Sequence, residues 1–428
     1  MSLRHLRPYR AFWIAGTVVR SVPAYLWLMV RGWLGRPADD AAWQEVHERA
    51  AARVDRMVAH LGGIPVKFAQ IAGARGDLFP EPFVRRLRRY HDDATPRPFA
   101  ELRPSLEEAL GEPLETVFAT FDEVPLAAAS IAQVHRARLR GGADVVVKIQ
   151  YPEISRIAPV DLSSARAMSH VVSWLSGSDF RGFVREITRF VALELDFPRE
   201  ADSMERAARE TRALGFVRVP RLHRERCGPR VLVMEYLDGI PITRVEALRR
   251  AGHDPLDLAR RVARLYATMI FERGFFHGDP HPGNLLVLPD GAIGLLDFGL
   301  CKELPPGFAR VAARMVVSGM SGDGEGALAA AAELGFDVTG VDPAAGLGIL
   351  GALFGGGGAR VADVPGLLLG NPLRSVPPDI ALVARTLILL NGLSHTLAPG
   401  QHPIQAELIR CLAPLLVSPG AGPAARSA

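Results

Sequence analysis

Cysteine is scarce in this chain: Cys227, Cys301 and Cys411 are the only three in 428 residues. An odd number of thiols, far apart in sequence, excludes a disulfide scaffold and a cysteine-based zinc site, and fits a reducing compartment. An excess of one charge is also missing. Lysine and arginine number 50 and aspartate and glutamate 46, a surplus of +4 that is too thin for a nucleic-acid binder. Weak attraction to an anionic membrane surface is its more natural use. The 42 glycines and 33 prolines are dispersed, which excludes a repeat array or a collagen-like chain. What is plentiful is apolar: 48% hydrophobic residues against 22% charged, enough for a large core over two or three packed units.

Ala11 to Val30 is long enough to cross a bilayer, but Arg20 and Pro23 interrupt its middle. A central arginine costs about 2.5–3.5 kcal/mol on insertion scales, so crossing is marginal. Arg4, Arg7 and Arg10 precede the stretch and Arg31 and Arg36 follow it, with Trp13, Tyr25, Trp27 and Trp33 in or beside it. That pattern predicts a helix lying in the membrane interface, with a span and a helix packed on the protein's own core as alternatives. No small-residue cleavage site follows, so a cleavable signal peptide is not expected. Further on, apolar spacing predicts an amphipathic helix over 41–60. Alternating runs broken at Gly141-Gly142 predict a β-hairpin within 117–150. Helices are expected at 160–176, 181–195, 200–214 and 256–273, and a buried strand at 230–236. Beyond Leu300 the pattern is mostly helical, and the tail after Ser418 is expected to be disordered.

The strongest chemical signal is His277-Gly278-Asp279-Pro280-His281-Pro282-Gly283-Asn284. Two short apolar strands around Pro289-Asp290-Gly291 follow it, and then Asp297-Phe298-Gly299. A protein-kinase catalytic loop has this H-x-D-x-x-x-x-N form before a hairpin and D-F-G. In that reading Asp279 lies beside the reacting hydroxyl or water, while Asn284 and Asp297 supply oxygens to Mg²⁺ on the phosphates of ATP. Lys148 ends the apolar strand Val145-Val146-Val147-Lys148, as a phosphate-binding lysine does, and Met234-Glu235-Tyr236 end the strand expected to hold adenine. Glu194, Glu200 and Glu205 compete as the lysine's partner. A glycine-rich loop is absent. Where G-x-G-x-x-G would let backbone amides approach phosphate, the chain reads Ala127-Ala128-Ala129-Ser130, whose β-carbons narrow that approach. The glycine cluster Gly355 to Gly358 has no lysine beside it and reads as a flexible loop. A metal-dependent hydrolase built on His277, Asp279 and His281 is a remote alternative, without a second His/Asp cluster at credible spacing.

Taken together, the segments AAASIAQVH, VVVKIQYP, ELDFPREA and FFHGDPHPGNLLV resemble the UbiB (AarF-type) atypical protein-kinase-like family over roughly Leu61 to Leu393. The resemblance implies an α+β, bilobal, protein-kinase-like fold with a helical N-terminal extension packed over the active site. It divides the chain into N-terminal helices (1–60), the extension (61–120), an N-lobe with inserted helices (121–238), a C-lobe (239–417) and a tail (418–428). It implies that Lys148 pairs with Glu200 rather than Glu194, and that Glu194 and Asp196 form the family's E-x-D motif. Lys67-Phe68-Ala69-Gln70 matches its K-x-G-Q motif with Ala69 in place of glycine, so Lys67, Gln70, Glu194 and Asp196 are expected to gate the site. Ser203 stands where the family has asparagine. The segment RGDLFPEPFVRRLRRYHDDATPRP looks like the part that closes the active-site mouth. The implied cofactors are ATP and Mg²⁺. The implied activity is that of an ATPase or a phosphotransferase to a small molecule or lipid, in isoprenoid-quinone or lipid homeostasis. The implied partners are a quinone precursor or lipid and an anionic membrane surface, with no nucleic acid, on the cytoplasmic inner face of the membrane. The alternative is a non-catalytic lipid-binding scaffold on the same fold. Many bacterial members end in a hydrophobic hairpin; here Ile380 to Leu393 is one apolar helix containing Arg385.

Overall fold

In a computed structural model, residues 3–73, 76, 79–91, 96–176, 180–347, 377–401 and 403–417 are described. The first helix, α1 (Arg7–Trp33), opens with a proline in its first turn, where a missing N–H leaves no bond unmade. It buries Arg10, Ile14, Thr17 and Leu28 against α2 (Asp40–Leu61) and the later helix Ile154–Ser176. Asp39 caps α2 by accepting the Ala42 N–H at 2.9 Å. At its other end Gly62 and Gly63 both take positive φ, and the chain turns into α3 (Ile64–Gly73). α3 meets α4 (Glu81–Leu87) so closely that a β-carbon on Gly73 would lie 2.9 Å from the Leu87 carbonyl carbon. Ile14, Met57, Val58, Leu61, Ala69, Ala72, Leu87 and Tyr90 form the core of this helical layer.

Two short helices, α5 (Arg103–Leu110) and α6 (Leu114–Val117), lead into β1 (Phe118–Phe121), β2 (Ala127–Ala128), β3 (Ala132–Leu139) and β4 (Asp144–Gln150). The helices α7 (Ile154–Ser176), α8 (Phe180–Glu194) and α9 (Phe197–Thr211) follow, then β5 (Val217–Arg218) and β6 (Val231–Glu235). The strands β1-β3-β4-β6 form an antiparallel sheet, with β2 also pairing β3. The expected hairpin is β3 and β4. Val145, Val147 and Ile149 of β4 are fully buried, as alternation requires of a strand with one face on a core.

Two compact units emerge, one of residues 1–198 and 223–236, the other of 199–222 and 237–428. After β7 (Ile240–Pro241) and α10 (Val245–Arg250), the second unit contains α11 (Pro255–Ala267). The helix expected over 256–273 is α-helical only to Ala267; Thr268–Arg273 widens into a π-helical turn, which Gly274 ends with a positive φ. The strands β8 (Phe275–His277), β9 (Leu285–Val287), β10 (Ile293–Leu295) and β11 (Cys301–Glu303) come next. They form a β5-β10-β9-β7 sheet and a β11-β8 pair. The helices α12 (Phe308–Ser321), α13 (Gly324–Glu333), α14 (Pro378–Leu397) and α15 (Pro403–Val417) complete the described chain, with α14 and α15 packed on α11. The glycine cluster Gly355 to Gly358 and the tail after Ser418 lie outside the described residues.

Candidate active site

In the second unit, His277 closes β8 with its imidazole fully buried. Its Nε2 lies 3.0 Å from the Leu296 carbonyl oxygen and 2.5 Å from that of Asp297. Two carbonyl acceptors require a proton on Nε2, so Nδ1 accepts from the Tyr266 hydroxyl at 3.0 Å. Burial pushes the Tyr266 phenol well above its usual range and keeps it a donor. His277 thus ties the start of one motif to the start of the other, twenty residues away. The next residue, Gly278, has no room for a side chain: a β-carbon there would lie 2.6 Å from the Leu300 carbonyl oxygen.

Both carboxylate oxygens of Asp279 are held. Oδ2 accepts from Asn284 Nδ2 at 3.1 Å, and Oδ1 accepts from Arg385 Nη2 at 2.9 Å. Asn284 Nδ2 also reaches the Asp279 carbonyl at 3.1 Å. With its nitrogen so engaged, Asn284 has its amide oxygen left to accept a bond or meet a cation. Asp297 is the one described non-glycine residue with positive φ, at 55°. Its Oδ1 accepts the Gly299 N–H at 3.1 Å, which stabilises this otherwise strained turn. An amide oxygen and a carboxylate are the hard donors that Mg²⁺ takes along with water and phosphate, so the residues fit the ion. Phe298 is buried edge-on to His277, with ring centroids 5.6 Å apart. Arg199 of α9 donates to the carbonyls of Gly299 at 3.1 Å and Cys301 at 2.6 Å, bracing the segment after this turn. Glu200 and Ser203 on the same helix are buried. Burial also pushes the Cys301 thiol far up, which leaves it unreactive.

In the first unit, Lys148 lies within β4, opposite Val134 of β3 and Leu232 of β6. Its Nζ is 5.3 Å from the ring centroid of Phe197, a fully buried side chain one helical turn before Glu200 in sequence. The alanine loop keeps a strand-turn-strand form without glycine: Ala127 and Ala128 pair with Val134 and Gln133, and the Ala129 N–H donates to the Ala132 carbonyl at 2.8 Å across Ser130. Met234 and Glu235 end β6, and the Tyr236 N–H extends that ladder to the Asp144 carbonyl at 3.1 Å.

Lys67 of α3 makes a 2.6 Å ion pair with Glu194 at the end of α8. Gln70 Nε2 donates to the Tyr90 carbonyl at 2.9 Å, fixing α3 to the 88–91 turn. Gln150 Nε2 donates to the Leu195 carbonyl at 3.1 Å, which ties the end of β4 to the segment between Glu194 and Asp196. A cavity of about 570 Å³ in this unit borders the loop at Ala129 and Ser130, and Tyr90, Arg97, Tyr151 and Glu153 also line it.

Two sequence expectations are corrected. The His277-Asp279-His281 metal site does not form: His277 is engaged as described, and His281 Nδ1 accepts the Gly283 N–H at 3.2 Å. Among the described residues no group of three or more His, Cys, Asp or Glu could hold a metal ion by itself. Trp13 and Tyr25 are not interfacial anchors either. Trp13 stacks on His60, with centroids 4.4 Å apart, and the Tyr25 hydroxyl hydrogen-bonds His47 at 2.9 Å, so both rings serve the α1–α2 contact. Sequence reading missed Tyr266, Arg199 and the role of Arg385; for Arg385 the available signal was a charge inside an apolar helix.

The ABC1 atypical kinase-like domain matches residues 89–331, more than half of the chain, a stretch that includes Lys148, Asp279, Asn284 and Asp297. The AarF domain-containing kinase 1 of Drosophila melanogaster is 35% identical over 278 residues, covering 64% of this chain and 54% of its own. The uncharacterized protein sll1770 of Synechocystis is 35% identical over 268 residues, 61% of this chain and 46% of its own. The chain thus spans about half the length of these relatives. The complex structure of Rv3197 with erythromycin from Mycobacterium tuberculosis is 24% identical, with a TM-score of 0.59, and covers 87% of this chain and 98% of that one. At that identity the likeness speaks for the fold. The chain belongs to the ABC1 atypical kinase-like family, the UbiB (AarF-type) proteins, and has their α+β kinase-like fold.

Proposed function

We propose that this protein binds ATP with Mg²⁺ and transfers the γ-phosphoryl group to water or to a small or lipidic acceptor. The observation that carries the reading is the Asp279–Asn284 pair, joined to Asp297 through His277. Asp279 takes the proton of the acceptor O–H as its oxygen bonds the γ-phosphorus; the bond from that phosphorus to the β–γ bridging oxygen breaks, and ADP leaves. Lys148 holds the α/β-phosphates and Glu200 holds the lysine. Ala127, Ala128, Ala129 and Ser130 border the phosphates, and Met234, Glu235 and Tyr236 receive the adenine. Asn284 and Asp297 would hold Mg²⁺, which would neutralise phosphate charge.

A small acceptor is favoured over a protein one by the Lys67–Glu194 pair and the Gln70 tie, which fix the extension in place, with Asp196 beside them in sequence. The family resemblance points to an isoprenoid-quinone precursor or a lipid as that acceptor. It also fits work on the inner face of a membrane. α1 supports interfacial contact rather than crossing: Phe12, Val19, Trp27, Val30 and Leu34 are exposed at helical spacing beside Arg20, while Arg10 is fully buried in the protein.

The test is ADP release by purified protein with Mg²⁺ and anionic liposomes, with and without an isoprenoid quinone precursor. Turnover that rises with liposomes or precursor is expected. Asp297→Asn should abolish Mg²⁺-dependent thermal stabilisation by ATP. Equal stabilisation of wild type and mutant refutes the assignment, and nucleotide binding without any turnover identifies a scaffold instead.

A further inference from the structure

Arg385 lies in the apolar helix α14, beyond the family-matched residues 89–331. Besides its bond to Asp279, two neighbours on the helix touch the same loop. Thr386, fully buried, lies with Oγ1 3.3 Å from the Gly278 carbonyl oxygen, as a donor to it. Leu382 stands where a β-carbon on Gly278 would come within 2.9 Å of its Cδ2. Positions 382, 385 and 386 are i, i+3 and i+4 and so share one helical face. That face grips Gly278 and Asp279 at three points. The catalytic loop's own His281 is turned onto Gly283.

We propose that Arg385 is a positioning residue for phosphoryl transfer, fixing the plane of the Asp279 carboxylate from a helix outside the family-matched segment. The inference rests on the proposed function. A charge-assisted guanidinium bond on Oδ1 and an amide bond on Oδ2 leave each oxygen a further lone pair, so the carboxylate is held in plane yet can still accept the acceptor's proton. A carboxylate free to rotate would meet that proton in the right line only part of the time. The same contact explains why an arginine is kept inside an apolar helix: its side chain, 48% exposed, leaves the helix to reach the loop.

The experiment uses full-length Arg385→Met, Arg385→Gln and Arg385→Lys in steady-state ADP release. Thermal unfolding of Arg385→Met, Asp279→Asn and the double variant accompanies it. Arg385→Met should lower kcat by about 10–100-fold, the scale of a misplaced catalytic group, with KM for MgATP within about twofold of wild type. Arg385→Lys, which restores charge and a donor, should recover about tenfold of that loss, and Arg385→Gln less. The Tm losses of the two single variants should not add in the double. Wild-type kcat in Arg385→Met, or Tm losses that simply add, overturns the proposal. If the wild type binds MgATP but releases no ADP, the proposed function fails, and non-additivity still decides whether Arg385 holds Asp279.

Discussion

Replacing Arg10 with methionine should undock α1. Arginine has five N–H donors, and here all five are used. Nε and Nη2 meet the two oxygens of Asp161 at 2.7 and 2.6 Å, Nη1 meets the carbonyls of Leu61 and Arg4 at 2.8 and 3.0 Å, and Nη2 also meets that of Gly62 at 3.2 Å. The Arg10 side chain is 0% exposed. Methionine keeps much of the volume but leaves a buried carboxylate without its cation, a change that costs about 3–5 kcal/mol. The carbonyls left without donors put the expected loss in the upper half of that range. Burial pushes the Asp161 carboxyl above its usual range even with Arg10 beside it, so the pair contributes little net stability compared with an apolar replacement. The double variant Arg10→Met/Asp161→Leu should therefore recover most of the loss. The assay is urea unfolding followed by tryptophan fluorescence, because the Trp13–His60 stack reports directly on α1 docking. A loss below about 1 kcal/mol in Arg10→Met, or a double variant as unstable as the single, refutes the argument.

Glu153 gives a pH prediction. Burial pushes its carboxyl up, but the Arg97 hydrogen bond and charge outweigh burial and hold it below the usual 4.5. A depressed carboxylate contributes stability above the unfolded-state value and loses it as pH falls through the lower folded-state one. Tm should therefore drop more steeply below about pH 4.5 in wild type than in Arg97→Met, and parallel curves would count against the pairing. Gly278→Ala should both destabilise the second unit and stop turnover, because its β-carbon would overlap the Leu300 carbonyl oxygen; an active, equally stable variant is the contrary result. Lys67→Ala breaks the 2.6 Å pair with Glu194 and should change ATP turnover and permit autophosphorylation; unchanged turnover with no autophosphorylation would show that the extension does not guard the site.

Much of this was legible in the sequence because local rules carried it. The apolar period gave α2, α8 and α9 to within about three residues at each end, but α7 starts at Ile154 rather than 160, because Pro159 lies inside the helix instead of before it. The Gly141-Gly142 break gave the β3–β4 hairpin, and the spacing from Asp279 to Asn284 gave a pair that folds into hydrogen-bond contact, with the Asp297 carbonyl reached through His277. The failures came where distant contacts decide. No local pattern distinguishes an interfacial tryptophan from one stacked on a histidine in the next helix, so the sequence does not place Trp13 on α2. The π turn over Thr268–Arg273 continues an apolar helical period and has no signature of its own. The alanine loop was rightly seen as lacking glycine, yet its turn forms because pairing with β3 supplies the bonds.

Arg10 and Arg385 share a logic that bears on how such helices are read. The windows Arg7–Trp33 and Ile380–Leu397 are both long and apolar enough to cross a bilayer. Each contains an arginine bonded to a single aspartate far along the chain, 151 residues away for Arg10 and 106 for Arg385. In lipid either arginine would need a partner or a route to the interface, and both are costly. Here the partner is a carboxylate within the same unit, and removing α1 or α14 into a membrane would strand that carboxylate as well. The two carboxylates then separate the roles of the helices. Asp161 is buried and silent, so Arg10 anchors an element whose opposite face is left apolar and exposed. Asp279 is the base of the proposed reaction, so Arg385 connects the packing of α14 to the chemistry of the loop. A substitution on the α14 face that shifts Leu382 or Thr386 should for that reason alter turnover while leaving nucleotide affinity in place, whereas one on the exposed face of α1 should leave turnover without liposomes unchanged.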